Sequence, residues 1–283
     1  MSVQPAYASD RDALLSHRHD QGADLWTTPD RRLLKGSPFS TLDCAFMLLE
    51  LGMEPADPLL AQVAALLLSA WQPDGRFKVY PSGGIYPCQT ATVANALCHL
   101  GYAEDQRLET TFRHLLETQQ GDGGWRCFKF SFGRGPETEF SNPMPTLVAL
   151  DAFRFHPTLR NAEALSRAID FLLEHWIIRK PIGPCHYGIG TLFMQVEYPF
   201  RSYNLFYYVY VLSFYQHARR DSRFLEALAA LQAKLVNGQM VVERVVPKLA
   251  SLHFCQKGAP SELATERYRD ILSNLKLEDI ATD

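Results

Sequence analysis

Gln119-Gln120-Gly121-Asp122-Gly123-Gly124-Trp125 closes one helix and announces a repeat. Upstream, Leu108, Phe112, Leu115 and Leu116 fall at helical spacing, and the glycine-rich turn breaks the helix they define. The helix before that begins at Pro87-Cys88-Gln89-Thr90-Ala91-Thr92 and carries an apolar stripe through Val93, Ala96, Leu97 and Leu100. It stops at Gly101, a residue suited to a C-cap. An earlier copy of this hairpin starts at Ser40-Thr41-Leu42-Asp43-Cys44, passes Leu48, Leu49 and Gly52, continues over 59–71 and closes on Gln72-Pro73-Asp74-Gly75-Arg76-Phe77. Asp74 and Asp122 stand 48 residues apart, which puts the two turns in register. Weaker copies pair 143–155 with 162–176 and 203–217 with 224–236, the last ending at Asn237-Gly238. A period of about 50 to 60 residues marks an array of supersecondary units.

Adding a leading helix over 10–17 and a closing helix over 261–275 gives five helix pairs. In this phasing the links 53–56, 102–105 and 156–161 are short, whereas 20–39, 72–87, 120–142, 177–202 and 237–260 are long. Long loops in a compact domain are usually functional. If successive pairs pack side by side in one sense, the long loops share one rim and alternate helices form an inner ring. The expectation is therefore an all-α chain, an α/α toroid of five to six hairpins, folded as one domain over 1–283. Its parts are an N-terminal helix and loop over 1–39, repeats over 40–238, and a closing loop and helix over 239–283.

Composition agrees with a packed chain: 47% of residues are apolar and 12% aromatic, too many for intrinsic disorder. Twenty-eight basic against 31 acidic residues leave a net charge of −3, without the positive field that duplex nucleic acid demands. The longest nearly apolar runs, 59–71 and 203–215, are 13 residues each, short of the roughly 18 to 20 that span a bilayer. Residues 1–12 have neither a basic flank nor an apolar stretch, so the sequence predicts no secretory signal and a cytoplasmic chain whose six cysteines are thiols, ligands or catalysts.

The turns 119–125 and 72–77 resemble the D-G-G/x-W/F repeats of the prenyltransferase and squalene-cyclase (terpenoid cyclase) superfamily, over about 40–238 and with one well-matched copy. This resemblance implies an α/α toroid, an apolar central cavity and an isoprenoid-like substrate. It does not carry a mechanism with it. The D-x-D-D acid motif of the cyclases and the D-D-x-x-D cluster for magnesium diphosphate are both absent, and Asp43 and Cys44 are adjacent instead of in the D-x-C spacing of the zinc-holding protein prenyltransferases. Gly183-Pro184-Cys185-His186 is also similar, over a few residues, to the Cys-His zinc element of lanthionine-synthetase cyclases, another toroid group.

The phasing places Cys88, Cys127, Cys185, His186 and Cys255 in long loops or at the first turn of an inner helix. Thiolate and imidazole suit zinc, with Cys185 and His186 as preferred ligands and Cys88, Cys127 and Cys255 in reserve. The competing reading is a set of unrelated buried thiols and hydrogen-bonded histidines. Arg126, Lys129, Arg134 and Arg201 lie in the same loops and are the candidates for an anionic head group, against the alternative of solvated surface charges. Glu137 and Glu139 alternate as a candidate acid/base pair, with loop hydrogen bonding as the competing role. Ten of the 33 aromatics fall between Phe193 and Tyr215, and Tyr203 and Tyr207, one turn apart, are the candidates to face a cavity and steady a cation, with core packing between helices and hydrogen-bonded hydroxyls as the competing role for most of these rings. Two function classes follow. One is a prenyltransferase- or cyclase-like enzyme assisted by zinc; the other is a non-catalytic toroid that binds a lipid or a partner protein.

Overall fold

The computed structural model describes residues 5–276, and among them helix dominates. Eleven α-helices occur: α1 (Ala8–Ser16), α2 (Thr41–Glu50), α3 (Pro58–Leu68), α4 (Pro87–His99), α5 (Gln106–Glu117), α6 (Pro143–Phe153), α7 (Glu163–Ile178), α8 (Leu205–Leu212), α9 (Gln216–Arg219), α10 (Ser222–Gln232) and α11 (Glu262–Lys276). The only paired strands among the described residues are β1 (Leu235–Val236) and β2 (Gln239–Met240), antiparallel across Asn237-Gly238. The predicted helix over 203–217 is α8 followed, after a break at 213–215, by the single turn α9. No described helix is long and apolar enough to cross a membrane.

The chain divides into two compact units, Met1–Thr118 with Val246–Phe254, and Gln119–Val245 with Cys255–Asp283. In the first, α2 packs on α1, α3 and α4, and α4 packs on α3 and α5. In the second, α8 packs on α6, α10 and α11, while α7 packs on α6, α9 and α10.

Two kinds of helix alternate along the sequence. Every residue of α8 is buried, as is every residue of α6 but Met144. A helix apolar all round has to lie inside its unit. By contrast α5 buries one stripe, Leu108, Thr111, Phe112 and Leu115, and α10 another, Phe224, Ala227, Leu228 and Leu231. Like α3, which buries the stripe Leu60, Val63, Ala64 and Leu67, these outer helices begin on aspartate: Asp57 accepts from Leu59 N, Asp105 from Arg107 N and Asp221 from Arg223 N, each satisfying a donor that the first turn leaves orphaned.

The repeated turn has a shared physical cause. Gly75 (φ +86°) and Gly123 (φ +92°) are left-handed, and a Cβ there would stand 2.7 Å from Thr110 O of α5 or 2.3 Å from Arg167 O of α7. Only glycine permits the turn to lie against the backbone of the next outer helix. The aromatic residue that follows is buried, and its N–H is accepted by a threonine in the first turns of the next inner helix: Phe77 N by Thr90 Oγ1 (3.3 Å) and Trp125 N by Thr146 Oγ1 (3.1 Å). Met240 N and Thr265 Oγ1 (3.0 Å) repeat this at the start of α11.

Candidate functional site

Two loops of the second unit carry the side chains with reactive chemistry. The first, 126–142, leads from the repeat turn into α6; the second, 179–188, leaves the C-terminus of α7. They are tied together by Phe132 N donating to Pro184 O (2.9 Å), Gly183 N donating to Glu137 O (2.9 Å) and the Cys185 thiol donating to Cys127 O (3.2 Å). Gly183 (φ +73°) makes the crossing feasible, since a Cβ there would meet Ser141 O at 2.6 Å.

Cys127 and Cys185, 58 residues apart in sequence, are thereby brought together, the Cys185 thiol reaching the backbone carbonyls of Cys127 (3.2 Å) and Phe130 (3.7 Å). Cys127 is fully buried, and its N–H donates to Asn142 Oδ1 at 2.6 Å. Cys185 is half-buried. The interaction with Cys127, and then burial, push the Cys185 thiol up, so at neutral pH Cys185 is held as a thiol and is poorly nucleophilic on its own. Nδ2 of that same Asn142 amide, and Nε of Arg126 one residue before Cys127, are buried polar atoms without a hydrogen-bond partner. His186 (φ +60°) is exposed, one residue beyond Cys185.

The carboxylates have defined places. Glu137 Oε1 accepts from Gly135 N (3.0 Å) and Arg134 N (3.2 Å); the backbone bonds, led by that of Gly135, hold its carboxyl below the usual range. Loop hydrogen bonding, one of the two roles left open by the sequence, is what its geometry performs. Glu139 is exposed and ion-pairs with Arg126 at 3.5 Å.

Of the cations, Arg126 lies over the Phe128 ring (4.8 Å) and Lys129 over Phe130 (5.3 Å), while Phe130 and Phe132 stack at 5.4 Å. Phe128, Phe130 and Phe132 are 56%, 48% and 64% exposed, which makes this loop an amphiphilic surface and not a core segment. Arg134 is exposed on the same loop, and Arg201 is half-buried just before α8.

Tyr203 and Tyr207 are buried, with their hydroxyls committed to protein partners. Tyr203 bonds His175 Nδ1 (2.9 Å) and Tyr207 donates to Asp151 Oδ2 (2.8 Å). Burial drives both phenols well above their ordinary range, and the Asp151 carboxylate adds to the rise at Tyr207. His175 and Asp151 were not among the sequence candidates. For Asp151 the signal was an ionisable residue inside the otherwise apolar α6, a placement that demands a polar partner; α7 is amphipathic, with Glu163, Arg167, Asp170 and Glu174, and marks His175 only by its place on the buried stripe between Leu172 and Trp176.

The remaining thiols lie elsewhere. Cys88 is half-buried in the first turn of α4 in the first unit, and Cys255 is buried at the end of the 3-10 turn His253–Cys255. Among the described residues no three of His, Cys, Asp or Glu gather as a ready ligand set. Protein-family models and curated proteins were compared with the chain, and neither gave a match.

Proposed function

We propose that this chain is an α/α toroid of the prenyltransferase and terpenoid-cyclase type, and that the 126–142 and 179–188 loops form its working site for an amphiphilic, isoprenoid-like substrate. The meeting of Cys127 and Cys185 across 58 residues is the observation that carries this reading. The exposed rings of Phe128, Phe130 and Phe132 offer an apolar surface for a hydrocarbon tail, and Arg126, Lys129 and Arg134 offer charge to an anionic head.

Thiolate and imidazole are the donor types zinc takes, and Cys127, Cys185 and the adjoining His186 bring them to the two tied loops, where ion binding would have to draw the three together. Cys127, Cys185 and His186 would hold the ion, and it would supply Lewis acidity or an activated thiolate there. The protein's own part is to bring the two cysteines together through Gly183 and Asn142, and to bury one face of the pair.

The second reading, a non-catalytic binder of lipid or protein, draws support from Tyr203 and Tyr207, whose hydroxyls are committed to His175 and Asp151. Metal and lipid analysis of the purified protein separates the two. The enzyme reading expects stoichiometric zinc that Cys185→Ser abolishes, together with a defined isoprenoid among extracted lipids. Absence of zinc with a heterogeneous lipid content, or with none, leaves the binder.

A further inference from the structure

A second cleft, sharing no residue with the thiol loops, opens in the second unit where the α6–α7 link (154–162) meets the α8–α10 link (213–221). Its volume is about 560 Å³, within the range of small-molecule sites. Arg154, Arg160, Arg219 and His217 line it, and among the described residues no carboxylate does. Leu165, Ile169 and Phe214 provide an apolar wall.

The cleft is built around Arg154. Its Nε donates to Asp151 Oδ1 at 2.6 Å, and that carboxylate is itself buried and bonded to Tyr207. The guanidinium lies over the rings of Phe214 (4.1 Å), Phe155 (4.3 Å) and Tyr210 (5.4 Å). An arginine fixed by a buried acid and by aromatic faces keeps its orientation before any ligand arrives, which lowers the ordering cost of binding. His217 is oriented by Asp170 (2.9 Å), and Arg219 by the Ser213 carbonyl (3.1 Å). Arg160 is exposed at the mouth. Ala162, the first residue outside α7, gives that helix no side-chain cap and also lines the cleft, though Glu163 in the first turn offsets the positive end of the helix.

We infer that this cleft binds a phosphate-bearing small molecule, with the phosphoryl group among Arg154, Arg160, Arg219 and His217 and its organic body along Leu165, Ile169 and Phe214. Guanidinium groups match phosphate oxygens in geometry and charge, and the apolar wall distinguishes such a ligand from a free inorganic ion.

Titration calorimetry of the full chain with inorganic phosphate and pyrophosphate, at low and at physiological salt, tests the inference. The expected result is a saturable binding component weakened at least tenfold by Arg160→Ala combined with Arg219→Ala and unchanged by Lys35→Ala, an exposed cation of the other unit. Arg160→Glu alone, at an exposed position, is expected to weaken binding as strongly, with unchanged circular dichroism and thermal unfolding guarding against a folding defect. Lack of saturable binding, or equal affinity in wild type and Arg160→Glu, overturns it.

Discussion

His175 shows how one buried residue ties packing to pH. Its side chain is fully buried between Tyr203 and the Lys180 carbonyl, with Nδ1 facing the phenol (2.9 Å) and Nε2 the carbonyl (3.0 Å). A neutral ring with its proton on Nε2 satisfies both, accepting from the Tyr203 hydroxyl and donating to the carbonyl. Burial lowers its pKa from 6.5 to about 4. Above pH 6.5 neither folded nor unfolded chain protonates this ring, and its contribution to stability is complete. Between 6.5 and 4 the unfolded chain binds a proton that the folded chain refuses, so stability falls as pH falls, by about 3 kcal/mol at pH 4. Urea unfolding between pH 7 and 4.5 should show this slope in wild type and a flatter one in His175→Gln. Parallel profiles would mean that the folded protein protonates His175 without penalty.

At the scale of elements, the turn that decided the reading of the sequence is anchored by its own Asp122 together with Ser141 and Thr146, which the motif does not contain. Asp122 accepts from Gly124 N (3.1 Å), Ser141 N (2.7 Å) and Ser141 Oγ (2.7 Å), and Thr146 accepts from Trp125 N while donating to Asn142 O (2.9 Å). The D-G-G-W string was legible because glycine and aspartate have few other uses at such spacing. Thr90, Thr146 and Thr265 were not, since a threonine in a helix reads as unremarkable until the backbone donor it serves is seen. Replacing Thr146 by valine keeps the shape and removes the acceptor, leaving the buried Trp125 N–H unpaired. The expected loss is about 1–3 kcal/mol of unfolding free energy by denaturant titration, with little change in helix content by circular dichroism. A variant as stable as wild type would show that the turn is held by Asp122 alone.

For the molecule as a whole, periodicity located the helices well, because an apolar stripe at 3.6 residues is a local property of sequence. Which distant side chains meet is not local. Cys185 was singled out as a ligand and Cys127 only as a reserve, because the contact between them depends on Gly183 crossing the N-terminus of α6, and nothing in the spacing of 58 residues encodes that crossing. The basic cleft escaped notice for the same reason, since its arginines come from two links that a toroid phasing treats as mere connectors.

This convergence yields a test with a spatial readout. A metal that binds the folded thiol pair and not the unfolded chain stabilises by mass action, about 2.7 kcal/mol at a hundredfold excess over Kd. The ligands sit on the 126–142 and 179–188 loops, so slowing of amide hydrogen exchange on zinc addition should concentrate there and be reversed by a chelator. The turn 72–77, in the other unit, serves as the internal control. Protection spread evenly over both turns, or unchanged by Cys185→Ser, would place any bound zinc somewhere other than Cys127 and Cys185.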